Sequence, residues 1–142
     1  SEQQVDDLNV EFCLPDAKRY GVRTRYSYHQ LIPTDLQTMA FEALVKYDHD
    51  KGTSEIYKYP AGWFPSEAPF AKSTRGGDED SGYAITLATN IRDYRSEAWI
   101  FDARRITAGP LARVRLPGRV AAGFHASWFP GEQLWPQARA VG

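Results

Sequence analysis

Apolar and polar residues alternate along most of the chain, in short runs separated by residues that favour turns. Such alternation is typical of β-strands with one buried face, and apolar spacing that would support a helix of three turns is nearly absent. The clearest unit is residues 41–60, FEALVKYDHDKGTSEIYKYP, in which two strand-like runs flank Asp48, Asp50 and Gly52. Those three residues favour tight or left-handed backbone, so the segment predicts a β-hairpin.

A second hairpin is predicted where YAITLATN and EAWIFDA flank the polar connection IRDYR. Two further extended segments follow, GPLARVRLP and AAGFHASWF, which are separated by Pro117 and Gly118. Between the hairpins lies AGWFPSEAPFAKSTRGGDEDSG, residues 61–82, whose polar and glycine-rich composition predicts a long loop. Its RGGDEDSG part lacks the ligand spacing of a calcium-binding loop and is predicted to be a solvated turn.

The predicted units arrive at intervals of roughly 40 to 50 residues, which is the period of β-propeller blades. The 142-residue chain has room for two blades, whereas a closed propeller typically has about four to eight. Two blades alone would leave open sheet edges, and the sequence opens on Ser1 without a methionine, so we expect further polypeptide before this chain. A β-sandwich fits the periodicity about equally well.

Composition excludes several classes of function. The net charge is −1, with 17 lysines and arginines against 18 aspartates and glutamates, so no basic field would attract nucleic acid. Cys13 is the single cysteine, which rules out an internal disulfide or a thiolate metal cage and favours the reducing cytoplasm. No run approaches the ~20 apolar residues of a membrane-spanning helix, and the first residues lack the features of a signal peptide.

The chain has three histidines, and no two of them have ligand spacing on one predicted element. His49 lies in the hairpin turn and is expected at the surface, whereas His29 ends a predicted strand, in the core or at the surface. His125 stands between Phe124 and Trp128, which is the pattern of a core residue. One histidine makes no metal site by itself, because iron or zinc needs three or more protein ligands.

Two glutamates have unusually apolar surroundings. Glu11 lies in NVEFCLP and Glu67 lies in PSEAPF, unlike the exposed acids of GGDED. Each is either a strand residue that faces water, which the residues alone favour, or a buried group with a partner. A buried carboxylate can accept the ring N–H of a ligand histidine and so orient that ring. The sequence contains no nucleophile elbow, phosphate loop or zinc-protease helix.

Taken in order, several blocks resemble the C-terminal part of the carotenoid cleavage oxygenase family, which includes carotenoid, apocarotenoid and lignostilbene dioxygenases. The blocks are VEFCLPD with RYGVRTRYSY after it, PSEAPF, EDSGYAITL, SEAWIFDAR and GPLARVRLPGRVAAGFHASW. Their order and spacing match the end of the family's sequences, and the last block is the most specific. The resemblance covers nearly the whole chain.

The resemblance implies that residues 1–142 are the C-terminal blades of a seven-bladed β-propeller with Fe(II) on its axis. Four histidines hold the iron in that family, and His125 matches the last of them. Glu11 and Glu67 match glutamates that hold ligand rings, so we expect Glu67 to pair with His125 and Glu11 to pair with a histidine outside this chain. Phe124 is expected to line the substrate tunnel or to pack between blades.

The implied reaction is oxidative scission of a conjugated carbon–carbon double bond by O₂, giving two carbonyl products. The expected cofactor is Fe(II), and the expected partners are the N-terminal remainder of the protein, an apolar conjugated substrate and O₂, with membrane contact only through other segments. Neither His29 nor His49 stands in a matching motif, so the other ligands are expected in earlier blades. The alternatives are a non-catalytic β-propeller module that binds a protein partner and a small lipid or terpenoid carrier.

Overall fold

The computed structural model describes residues 4–34, 40–121, 123 and 125–135. In these residues β-strands dominate and form two antiparallel sheets, each of which follows chain order closely. The prediction of an all-β chain is therefore confirmed for the described residues.

The first sheet is a four-stranded meander. It contains β1 (Val10–Leu14), β2 (Tyr26–Leu31), β3 (Ala43–Asp48) and β4 (Thr53–Lys58), which lie in that order across the sheet. β3 and β4 are the predicted hairpin, in which Asp48 pairs with Thr53. Gly52 closes the turn at φ +63°, a conformation that glycine adopts without steric cost. The register of β1 on β2 shifts between Glu11 and Leu14.

The second sheet has one edge strand that is divided in two. Its strands are β5 (Trp63–Pro65), β6 (Phe70–Lys72), β7 (Gly82–Asn90), β8 (Ser96–Asp102) and β9 (Pro110–Arg115). β5 pairs with residues 88–90 of β7, and β6 pairs with residues 82–84 of the same strand. The other edge of β7 pairs with β8, which pairs in turn with β9. β7 and β8 are the second predicted hairpin.

Residues 61–82 are not the long loop that their composition predicts, because β5 and β6 lie within them. Each of these strands has three residues, and prolines at positions 65 and 69 interrupt the alternation that reveals a strand. The prediction of a solvated turn at RGGDEDSG is also wrong in part. Asp80 is buried there and lies against the first sheet.

The two sheets pack face to face around one hydrophobic core. The core residues are Tyr28, Leu44, Tyr59, Ala68, Phe70, Ala84, Ala88, Trp99, Phe101, Ala103 and Ile106. Successive side chains of a strand point to opposite faces, and Leu44 of β3 therefore enters this core while Ala43 and Val45 enter a cluster on the other face. Both faces of β3 are buried, which explains its three consecutive apolar residues, Ala43, Leu44 and Val45.

A polar latch, formed by Lys46 with Asp80 and by Arg25 with Glu79, joins the β6–β7 connection to the first sheet. Nζ of Lys46, which is 3% exposed, lies 2.8 Å from Oδ2 of Asp80. Oε1 of Glu79 accepts the backbone N–H groups of Arg25 and Tyr26 at 2.7 and 3.0 Å. These bonds compensate charges that would be costly to bury alone, so the connection is fixed on the first sheet.

Residues 116–129, which we refer to as the C-terminal arm, follow β9. The described residues of the arm belong to no strand, although the sequence predicts an extended segment at 121–129. Some of their backbone groups bond to side chains instead of a neighbouring strand, as the amides of Val120 and Ala126 do with Ser96 and Glu67. One helical turn, α1 (Gly131–Leu134), comes next. No helix in the described ranges is long and apolar enough to traverse a bilayer.

Candidate functional site

Glu67 lies in the break between β5 and β6. Ser66 holds this break to β7, because its N–H donates to the carbonyl of Leu87 at 2.9 Å and its Oγ accepts the N–H of Leu87 at 3.1 Å. The carbonyl of Ser66 accepts hydrogen bonds from Nε2 of Gln30 at 3.0 Å and from Oγ1 of Thr86 at 2.8 Å. The side chains of Ser66, Gln30 and Thr86 are buried. Glu67 therefore leaves the sheet from a fixed position.

The carboxylate of Glu67 joins this break to the C-terminal arm. Its Oε1 lies 3.0 Å from Nδ1 of His125, and its Oε2 accepts the backbone N–H of Ala126 at 2.5 Å. The residues alone favour a Glu67 that faces water. This prediction is wrong, because Glu67 is only 4% exposed. A buried carboxylate needs such donors, and both of its oxygens have one here.

The contact with Glu67 determines which nitrogen of His125 faces away from the protein. An ionised carboxylate only accepts hydrogen bonds, so the proton of the neutral ring is assigned to Nδ1 and the lone pair to Nε2. The side chain is 79% exposed, and the prediction of a core histidine is wrong for the described chain. Within the described ranges this ring makes its hydrogen bond at Nδ1, and Nε2 makes none.

Phe12 is a third member of the site, and sequence reasoning did not find it. Its ring contacts the ring of His125 edge to face, with centroids 5.3 Å apart. Phe12 lies where the register of β1 shifts, and its φ of +60° is in the left-handed region. A bulky residue there costs ~1–2 kcal/mol. Strain of this kind is common at functional sites, but the sequence carries no signal for it.

Glu11 stands apart from this group. It lies on β1 directly before Phe12, and its side chain is exposed. The described residues show no hydrogen bond or ion pair between Glu11 and either Glu67 or His125. The structure therefore brings together Glu67 and His125 but not Glu11, whose predicted partner lies outside this chain.

His29 and His49 belong to a different cluster, on the face of the first sheet that carries Val45. Their Nε2 atoms lie 2.8 and 2.7 Å from the same hydroxyl, Oγ of Ser27. The ring of Tyr47 packs against both imidazoles, at 5.1 and 5.9 Å between centroids. Burial lowers the pKa of His29 to about 4, so this ring is neutral at pH 7. His49 is exposed, as predicted.

A groove of about 870 Å³ lies beside His125. The two residues that follow His125 in the chain form part of its lining, and most of the other contacts are apolar or aromatic, including Leu14, Tyr20, Phe70, Trp128 and Phe129. Phe124, the residue predicted for the substrate tunnel, lies outside the described residues.

His125 fits the requirements of one metal ligand. Ligand histidines almost always donate the other ring N–H to a carboxylate, a carbonyl or water, and the contact with Glu67 supplies that orientation. In the part of the chain that the structure describes, no group of three or more His, Cys, Asp or Glu residues could hold an ion. The contact between Glu67 and Nδ1 is thus compatible with Nε2 of His125 acting as one metal ligand.

Comparison with known families identifies the class to which this fold and site belong. Residues 1–130 match the model of the Retinal pigment epithelial membrane protein family. The match covers most of the chain, and the chain belongs to this family, the carotenoid cleavage oxygenases. The resemblance found in the sequence blocks is therefore confirmed.

Individual relatives support the same assignment. The chain is 28% identical over 151 residues to carotenoid 9,10(9',10')-cleavage dioxygenase 1 of Phaseolus vulgaris, covering 98% of this chain and 28% of the relative. It is 37% identical over 147 residues to the enzyme of the same name from Arabidopsis thaliana, covering 96% of this chain and 27% of the relative. The chain thus spans less than a third of either plant enzyme.

Two solved structures of bacterial oxygenases share this fold. The lignostilbene dioxygenase of Pseudomonas brassicacearum superposes with a TM-score of 0.82 at 25% identity, over 91% of this chain and 29% of that one. The apocarotenoid oxygenase of Synechocystis, in a form described as cobalt-substituted, gives 0.79 at 27% identity, over 89% of this chain and 26% of that one. The two sheets are therefore the fold of one part of these larger proteins.

Proposed function

We propose that this chain is the C-terminal segment of an Fe(II)-dependent dioxygenase that cleaves a conjugated carbon–carbon double bond with O₂, giving two carbonyl products. The observation that carries the proposal is the contact of buried Glu67 with Nδ1 of His125, which leaves Nε2 open. Membership of a family whose relatives are named carotenoid and lignostilbene dioxygenases supports the reaction class. The cobalt-substituted neighbour supports a metal.

The proposal includes the architecture of the whole protein. The two sheets would be consecutive blades of a seven-bladed β-propeller, and residues 1–142 would be a segment of that single domain. Both sheets are antiparallel meanders, as propeller blades are. The first strand of the first sheet carries Phe12, and the divided first strand of the second carries Glu67 in its break. These two edges meet at His125, which supports an axis beside that ring.

Each residue of the site has a role that follows from its contacts. Bound Fe(II) would supply the binding and activation of O₂. His125 would provide Nε2 as a ligand, and Glu67 would hold Nδ1–H so that the ring keeps the tautomer and the orientation that ligation requires. Glu11 would hold a ligand histidine of another segment in the same way.

The groove beside His125 supports an apolar substrate. Its lining combines aromatic and aliphatic residues with charged ones such as Lys18 and Lys72, and the apolar part would suit a polyene or stilbene. No protein nucleophile is needed for this reaction, and none is assigned.

Product analysis tests the proposed function. The complete polypeptide that contains this chain is loaded with Fe(II) and incubated with O₂ and an apocarotenoid or a stilbene, and the aldehydes formed are quantified. We expect cleavage of at least one substrate into two carbonyl products. In His125→Ala the rate should fall by a factor of about 100 or more. Glu42→Gln, at an exposed position directly before β3, is the matched control and should keep the parental rate. A folded His125→Ala protein with the parental rate would refute the assignment.

A further inference from the structure

Two buried hydroxyls lie side by side on the second sheet, away from Glu67. Thr89 of β7 and Ser96 of β8 are direct cross-strand partners, and their oxygens lie 2.7 Å apart. Thr89 is 8% exposed and Ser96 is 2% exposed. Buried hydroxyls need hydrogen-bond partners. Besides each other, these two have a common partner on the C-terminal arm.

Both hydroxyls bond to the backbone of Val120. Oγ1 of Thr89 donates to the carbonyl of Val120 at 3.0 Å, and Oγ of Ser96 accepts the N–H of Val120 at 2.9 Å. The only proton arrangement that satisfies all three contacts runs from the Val120 N–H to Ser96, from the Ser96 hydroxyl to Thr89, and from Thr89 to the Val120 carbonyl. We name this closed ring of hydrogen bonds the hydroxyl clamp. Chains of this kind strengthen one another.

The hydroxyl clamp acts where no strand pairing holds the backbone. Strand pairing ends with β9, after which Leu116 makes one more backbone bond, to the carbonyl of Ser96 at 2.9 Å. Val120 is then held by the clamp, and Ala126 is held by the carboxylate of Glu67. Val120 and Ala126, which lie on either side of His125 in the sequence, are therefore each held by buried side chains.

We propose that Thr89 and Ser96 position His125 for metal binding. The inference rests on the proposed function for the metal itself, but its structural content is the orientation of the His125 ring. Without the clamp, the arm loses the two bonds that fix Val120, and the orientation of His125 then depends on the carboxylate of Glu67 and the ring of Phe12. Ring and carboxylate meet for a smaller fraction of the time, and the affinity for the metal falls.

The test uses the complete polypeptide with Thr89→Val, which keeps the shape but removes the hydroxyl, and Ser96→Ala as a second way to remove the clamp. Thr89→Ser keeps the hydroxyl and is the rescue variant. Ile106→Val trims a fully buried residue of the core between the sheets and controls for general destabilisation. Nitrogen-15 spectra of the metal-free proteins report the tautomer of His125, and Co(II) titration reports the affinity.

We expect the parent, Thr89→Ser and Ile106→Val to keep the Nδ1–H tautomer and to bind Co(II) within about twofold of one another. Thr89→Val and Ser96→Ala should show a mixture of His125 tautomers, and their affinity for Co(II) should be lower by a factor of about ten or more. The amide of Val120 should also exchange about tenfold faster in these two variants. An unchanged tautomer in both, or an equal change in Ile106→Val, overturns the inference. A parent that binds no Co(II) overturns the proposed function instead, while the tautomer still decides the role of the clamp.

Discussion

Replacing Glu67 by glutamine perturbs the central contact of the site without changing the shape of the side chain. The carboxylate now accepts from Nδ1 of His125 with one oxygen and from the N–H of Ala126 with the other. An amide has one oxygen and one NH₂ group. It can satisfy one of the two donors, and its NH₂ group must face the other.

The expected magnitude follows from burial and charge. Hydrogen bonds to a charged group contribute about 1.5–3 kcal/mol each, and an unsatisfied buried donor costs about 1–3 kcal/mol. Glu67 is only 4% exposed, so water cannot easily replace the lost bond. Loss of one such bond, about 1.4–2.7 kcal/mol of ring orientation, corresponds to a 10- to 100-fold lower affinity for Fe(II) in Glu67→Gln.

The assay is titration of the metal-free complete polypeptide with Fe(II) under anaerobic conditions, with Co(II) as a spectroscopic substitute. Glu42→Gln makes the same chemical change at an exposed position and should leave the Kd within about twofold of the parent. A folded Glu67→Gln protein whose Kd is as low as that of Glu42→Gln would refute the reasoning.

Three further predictions concern stability and are read from denaturant unfolding. Asp80→Ala leaves Lys46 buried without its partner and should cost about 3–5 kcal/mol, much of which Lys46→Met with Asp80→Leu should restore. Phe101→Ala empties a fully buried core position and should cost about 3–5 kcal/mol. The pKa of His29 is lowered to about 4 in the fold, so stability should fall by up to about 3 kcal/mol as the pH drops from 6.5 to 4. His29→Gln should lose this part of the pH dependence. If its free energy of unfolding fell as steeply with pH as that of the parent, the role of His29 would be contradicted.

The two long hairpins could be predicted because local signals are sufficient for them. The turn before β4 has Asp48 and Gly52, and β4, β7 and β8 alternate along most of their length. β5 and β6 could not be found in this way. Each has three residues and lies at a proline. They are strands because their backbones pair with β7.

The site was predictable only in part, because its contacts join residues far apart in the sequence. The apolar surroundings of Glu67 marked it as unusual, but its partner His125 lies 58 positions away. The residues alone favoured a water-facing Glu67 and a buried His125. In the structure Glu67 is buried and His125 is exposed. The φ of Phe12 and the ring of bonds between Thr89, Ser96 and Val120 depend on tertiary packing, so no periodicity indicates them.

The most direct test of the central claim is the iron content of the complete polypeptide before and after His125→Ala. If Nε2 of His125 is a ligand, the parent should hold about one Fe(II) per polypeptide, and the variant should lose it on dialysis. The variant must unfold at a denaturant concentration close to that of the parent, which shows that the fold is intact. A folded variant that keeps its iron at full occupancy would contradict the account.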